Sequence, residues 1–237
     1  MKLMVISHER SGTHFLINTL ANIFQLSNIQ KDLHLTESDD NYESAEYRNH
    51  VQEHLKRLSE NQEVIIKSHH HSAFFKDFDF AHYGITPYYI YRDVRDVMVS
   101  CHHYFNSHPE IIKKGTFPPS GKPTELAFEV NPTQYAFDSA YSFYRNKTMT
   151  ERWCSHVGPY LEDDRFTKIK YEDLNLRFEE TCRAVANKSD ILRPTLGSRT
   201  VSARKGAVGD WKNYFEKLAN ERIISYTNNK GIKLECQ

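Results

Sequence analysis

The sequence predicts an α/β protein: one domain over residues 1–237, with a mainly parallel central sheet and helices on both faces. Three observations carry that expectation. Four short β-rich runs alternate with longer segments whose apolar residues recur at helical spacing. The first run passes through a sharp polar turn with a single glycine straight into such a segment, as a parallel βα unit does. At 237 residues the chain is also long enough to bury a core without disulfides or metals.

Each element follows from a quoted stretch. "KLMVIS" (2–7) is the first strand, and "SHERSGTH" is the turn. Phe15, Leu16, Leu20, Ile23 and Phe24 then share one helix face. Residues 31–48 are polar and acidic and read as a loop leading into a helix around Tyr47–Leu58. "EVIIKS" (63–68) and "PYYIYR" (87–92) are strands, and Val97, Met98, Cys101, Tyr104 and Phe105 line the helix after the second of them. Residues 107–133 hold Pro109, Pro118, Pro119, Pro123 and Pro132 with Gly115 and Gly121, which predicts a long loop able to act as a lid. "FTKIKY" (166–171) is the fourth strand, and Phe178, Cys182 and Val185 mark the helix behind it. Gly206 and Gly209 keep the chain in a loop until Asp210, which is placed to cap a last helix.

Composition excludes several classes. Thirty-one basic residues balance 31 acidic ones, so no global field points to nucleic acid or to a membrane surface. Any anion site has to be local. Cys101, Cys154, Cys182 and Cys236 show neither metal-ligand spacing nor a disulfide pattern, as expected of reduced thiols in a cytoplasmic protein. No stretch reaches membrane-spanning length, and the early first strand leaves no space for a signal peptide. The glycosylation-type triplets at Asn146 and Asn187 then carry no meaning.

Three stretches point to anions. In "SHERSGTH" the nucleotide-triphosphatase pattern G-x-x-x-x-G-K-[ST] fails twice: with Gly12 as its second glycine, Ser7 stands for the first and Thr13 for the lysine. The turn is P-loop-like only in outline. Arg10 is the available cation, with Ser11 and Thr13 as hydroxyl donors, and helix-start amides attract an anion. A tight, solvated strand–helix connection is the alternative. Arg92 stands at the end of the third strand, on the sheet edge where parallel sheets bind ligands, with Ser100 inside the next helix. It could equally pair with Asp93 or Asp96. "RKGAVGDWKNYF" sets Arg204 and Lys205 before Gly206, which suits a backbone that approaches a phosphate closely; a solvated basic loop is the other reading.

Taken in order, "RSGTHFL", "YRDVRDVMVS", "KYEDL" and "RKGAVGDWKNYF" resemble the signature of sulfotransferases that use 3′-phosphoadenosine 5′-phosphosulfate (PAPS) and release adenosine 3′,5′-bisphosphate (PAP). "RWCSHV" (152–157) is a weaker echo. The likeness runs from about Leu3 to Phe215. It implies that Arg10, Ser11, Gly12, Thr13 and His14 wrap the 5′-phosphosulfate and that Phe15 lies against the adenine. It implies that Arg92, Ser100, Arg204, Lys205 and Gly206 hold the 3′-phosphate and that Tyr171 contacts the adenine side. Trp211 reads rather as a structural residue. Direct cation and amide contacts make a metal unnecessary.

"EVIIKSHHHSAFF" matches the family's Lys-x-His, so the resemblance makes His69 the general base, with Lys67 and Arg10 stabilising charge on the departing phosphate. A His near its ordinary pKa can accept the acceptor's proton as the new bond forms. His70 and His71 follow where the family has an apolar residue and proline. Three adjacent histidines on an extended segment point to alternate sides and converge poorly on one metal. The expected acceptor is a small, soluble, hydroxylated molecule, with His102, His103, Tyr104 and Phe105 near the root of the proline-rich loop. "KNYFEKLANE" keeps Lys212 and Glu221 of the family's dimer segment but has Glu216 and Lys217 in its middle, leaving monomer and homodimer both open. A magnesium-dependent small-molecule kinase and a non-catalytic PAPS- or PAP-binding module are the rival functions.

Overall fold

A computed structural model describes residues 1–26, 30–33, 44–61, 63–107, 122–129, 147–186 and 206–234. In chain order the elements are β1 (Lys2–Ser7), α1 (Thr13–Ile23), β2 (Gln30–Leu33), α2 (Ala45–Leu58), β3 (Val64–Ser68), β4 (Ile85–Tyr91), α3 (Val94–Asn106), α4 (Pro123–Phe128), α5 (Met149–Glu162), β5 (Thr167–Lys170), α6 (Tyr171–Leu176), α7 (Phe178–Ala186) and α8 (Lys217–Asn229). Short 3-10 turns occupy Ser72–Phe75 and Asp210–Asn213. The chain forms two compact units: Met1–Arg92 with Pro159–Arg199, and Asp93–Gly158 with Thr200–Gln237.

The first unit contains the sheet, ordered β2-β3-β1-β4-β5, with every pair parallel. β1 lies at its centre, and Leu3, Met4, Val5 and Ile6 are all buried. A parallel strand covered on both sides reads as a continuous apolar run rather than an alternation, which is why "LMVI" specifies this position. β3 and β4 follow the same rule with Val64, Ile65 and Ile66 and with Tyr88, Tyr89 and Ile90. α1 buries Leu16, Ile17 and Leu20, each worth about 1.5–3 kcal/mol of apolar burial. Because the strands are parallel, Ser7, Leu33, Ser68, Tyr91 and Lys170 all end at one edge of the sheet.

One expectation fails here. Residues 31–33 are not loop but, with Gln30, form the edge strand β2. "QKDL" buries only Leu33, so it has no apolar alternation to read; its conformation comes from pairing with β3.

In the second unit α3 is the main buried element, contributing Val94, Val97, Met98, Val99, Cys101 and Phe105. The proline-rich segment 107–133 is not all loop, since it contains a packed helix: Pro123 opens α4, Leu126 and Ala127 are buried, and Thr150 Oγ1 donates to the Ala127 carbonyl at 2.8 Å. Proline favours a first helical position because that N–H has no partner to lose. Residues 108–121 and 130–133 lie outside the described residues. Asp210 is also not a helix cap. Gly209, with φ 78°, holds the cap position, and Asp210 starts the 3-10 turn, accepting from the Asn213 side chain at 3.0 Å.

Cys101, Cys154 and Cys182 are buried, and burial pushes the Cys154 thiol up to about 12, far from a reactive thiolate. Among the described residues no helix is long and apolar enough to cross a membrane.

Candidate active site

The turn between β1 and α1 is built on two left-handed residues, Arg10 at φ 63° and Gly12 at φ 97°. Gly12 has a second constraint: a Cβ there would run into the ring of Tyr171. Serving as the α1 cap, Gly12 offers no side chain to the first N–H groups, and the first turn holds no acidic residue. Those amides therefore keep the donor capacity that a helix start leaves unspent. Ser11 adds to it, because its Oγ is buried with no hydrogen-bond partner among the described residues. A buried orphan hydroxyl beside open amides fits an anionic ligand, since leaving such a group unsatisfied costs about 1–3 kcal/mol. Ser7 Oγ and Thr13 Oγ1 share a hydrogen bond of 2.6 Å that ties the turn to the end of β1.

His69 follows β3 at the same sheet edge. Its Nδ1 lies 2.8 Å from the Ser7 carbonyl and 3.3 Å from Ser7 Oγ. A carbonyl only accepts, so Nδ1 carries the proton and the lone pair of the neutral ring sits on Nε2. Burial, then the Lys67 ammonium, lowers the His69 pKa to about 3, with the Ser7 carbonyl opposing weakly. This corrects the expectation of an ordinary imidazole: in the ligand-free protein the ring is neutral near pH 7. Desolvation disfavours the imidazolium and Lys67 repels it.

The other two histidines have separate tasks. His70 is buried, with Nδ1 2.9 Å from Ser68 Oγ and its carbonyl accepting from Tyr160 Oη at 2.8 Å. His71 Nδ1 accepts the Ala73 N–H at 3.3 Å and caps the turn at Ser72–Phe75. Among the described residues no group of three or more His, Cys, Asp or Glu side chains could hold a metal ion.

Lys67 reaches across to β2, where its Nζ donates to Asp32 Oδ2 at 3.2 Å. Nothing in the sequence patterning marked Asp32, since the signal lies in strand pairing. His14 still reaches solvent. Partial burial and then the Lys67 ammonium hold its imidazole below the ordinary value; Asp32 acts in the opposite sense, and Arg10 adds a smaller lowering. Arg10, His14, Asp32, Lys67 and His69 thus form one electrostatic neighbourhood.

An aromatic group borders it. Phe15 stacks on Phe178 at 6.1 Å and meets the edge of Tyr171 at 6.2 Å, while the Arg92 guanidinium lies 4.5 Å from the Tyr171 ring centre. Phe178, which the sequence marks only as a helix residue, belongs to this cluster.

Of the remaining predicted residues, Ser100 and Gly206 belong to the second unit. Ser100 is on α3, Gly206 precedes the turn at Asp210–Asn213, and Arg204 and Lys205 fall outside the described residues. In this unit Arg95 is bound to Asp93, and it lies 3.8 Å from the centre of the Trp211 ring. Asp96 accepts the backbone N–H groups of Gly209 at 2.8 Å and Trp211 at 3.0 Å. Trp211 is buried.

The family profile described as "Sulfotransferase domain" matches residues 1–192. Three solved structures share the fold: a mouse sulfotransferase, SULT7A1, complexed with PAP (19% identity, TM-score 0.57, 96% of this chain and 84% of that one), and two of retinol dehydratase. One of the latter holds androsterone and the inactive cofactor PAP (14% identity, TM-score 0.54, 99% and 82%), and the other holds retinol and PAP (14%, 0.56, 100% and 83%). No curated protein matches by sequence.

Proposed function

The chain belongs to the sulfotransferase family, and we propose that it transfers the sulfuryl group of PAPS to a hydroxyl group of a soluble small molecule, with His69 as general base. The observation that carries this reading is the His69 tautomer, locked by Ser7 so that the basic nitrogen is Nε2. It stands beside Lys67 and at the same sheet edge as the open Gly12 turn. PAPS supplies an activated sulfuryl group, and the bound PAP of the fold relatives supports a nucleotide of that shape. The reading takes residues 1–237 as one catalytic domain, in keeping with a family match that runs through parts of both units.

The turn residues Arg10 to His14 receive the 5′ end through amides, the Ser11 and Thr13 hydroxyls and the Arg10 charge. Phe15 and Tyr171 offer faces for the adenine. Arg92 and Ser100, with Arg204, Lys205 and Gly206, take the 3′-phosphate. At the reacting centre His69 Nε2 accepts the acceptor's hydroxyl proton while the Ser7 carbonyl steadies the resulting imidazolium. A pKa near 3 makes this a weak base in the free protein. The negative charge of a bound nucleotide favours the imidazolium and raises that value. Lys67 and Arg10 stabilise the charge that develops on the departing phosphate. None of these contacts calls for a metal ion. Androsterone and retinol in the fold relatives support a hydroxylated small-molecule acceptor; the three buried thiols accord with a reducing cytoplasm.

Single-turnover transfer from PAPS to a panel of phenols and alcohols tests the base. His69→Ala should slow transfer by roughly 10²-fold or more and leave PAP affinity within about twofold of wild type. Unchanged transfer would assign the base elsewhere.

A further inference from the structure

The edge strand β2 carries a chain of polar side chains that ends on Lys67. Gln30 and Asp32 are two residues apart and so share one face of the strand. Gln30 Nε2 donates to Asp32 Oδ1 at 2.7 Å, and Lys67 Nζ donates to Asp32 Oδ2 at 3.2 Å. Asp32 is also the register partner of Lys67 across the β2–β3 pair. The carboxylate is held by one oxygen and holds with the other. With 18% of the Lys67 side chain and 29% of the Asp32 side chain exposed, the pair is neither dry nor fully screened.

A carboxylate next to a polyanion site opposes binding by simple repulsion. Its presence therefore calls for a benefit other than attraction. A lysine stem loses rotamer entropy when its ammonium is held, and fixing the ammonium before a ligand arrives removes part of that cost from the bound state. One hydrogen bond to Asp32 also leaves two of the three ammonium hydrogens for incoming oxygens.

We propose that Asp32, oriented by Gln30, is a positioning residue that holds the Lys67 ammonium ready for the 5′ end of the nucleotide. The proposal rests on the sulfotransferase reading above. Asp32 touches no reacting atom and acts only through Lys67.

Calorimetric titration with PAP of the wild type, Asp32→Ala, Lys67→Ala and the double variant tests it. In the Lys67→Ala background only repulsion is lost, so Asp32→Ala tightens PAP binding. With Lys67 present the same change also loses orientation, so the gain shrinks by roughly fivefold or becomes a loss. Equal fold-changes in the two backgrounds would show that Asp32 acts independently of Lys67 and overturn the proposal. A larger gain with Lys67 present would mean that Asp32 competes with the nucleotide for the ammonium, which overturns it equally. Gln30→Ala changes no charge and covers the case in which Asp32→Ala fails to fold. It should weaken PAP binding about twofold with Lys67 present and not at all without it; equal effects would again refute the role. The wild-type titration separates the two failures, since absence of PAP binding there removes the functional reading and this proposal with it.

Discussion

After β1 the chain enters α1 through Gly12, which has no side chain to give, and no carboxylate stands in the first turn. After β4 it enters α3 through Asp93, whose side chain accepts the Arg95 N–H at 2.9 Å, and Asp96 stands in the first turn. Both helices begin after a buried parallel strand, and both begin in polar sequence. At α3 the donors and charges are spent within the protein: Asp93 binds the buried Arg95, and Asp96 binds the Gly209 and Trp211 amides. At α1 the amides and the Ser11 hydroxyl remain to be used. A helix start serves an anion only when no carboxylate has already answered it.

Changes at the α3 carboxylates Asp93 and Asp96 should therefore cost stability and spare binding, and changes at the α1 turn should do the reverse or cost both. The largest effect is expected from Asp93→Ala, which leaves Arg95, 1% exposed, without its carboxylate. Urea unfolding should show a loss of about 3–5 kcal/mol, while the folded fraction binds PAP as the wild type does. A parallel loss of affinity would erase the contrast between the junctions. Gly12→Ala puts a Cβ against Tyr171 in a left-handed conformation and should cost roughly 2–4 kcal/mol. Here PAP binding should fall as well, because the turn cannot keep its shape. Arg92→Gln sharpens the picture in another way. Titration should show PAP affinity reduced about tenfold with AMP affinity nearly unchanged; equal losses for both would detach Arg92 from the 3′-phosphate.

The last prediction concerns pH. The His69 pKa is lowered from 6.5 to about 3 on folding, so between those values the unfolded chain binds a proton that the folded chain refuses. The stability contributed by neutral His69 is complete above pH 6.5 and declines as pH falls towards 3. Urea unfolding at pH 7 and pH 5 should show a steeper loss for the wild type than for His69→Gln. Equal slopes would mean that the imidazole is not desolvated.

Much of the open turn was legible because it is local. A continuous apolar run, one glycine and a helical face lie within about twenty residues, and each obeys a short-range rule. Lys67 and His69 were legible for a similar reason, as a spaced pair at the end of an apolar strand. Asp32 was not, since "QKDL" becomes a strand only through β3. The Ser7 contact to His69 was hidden because a backbone carbonyl leaves no mark in the side-chain pattern. The depressed His69 pKa comes from packing around the ring, so the ordinary value was the wrong default. α4 is hard to read from sequence although Pro123 is a helix-start signal, because the surrounding prolines and glycines dominate the segment.

The account depends most directly on the α1 turn and its edge of the sheet holding PAP. Calorimetric titration with PAP, ATP and AMP, each with and without magnesium, tests that. The account predicts PAP binding that needs the 3′-phosphate and ignores magnesium. Preference for ATP with magnesium would contradict it and return the turn to kinase chemistry.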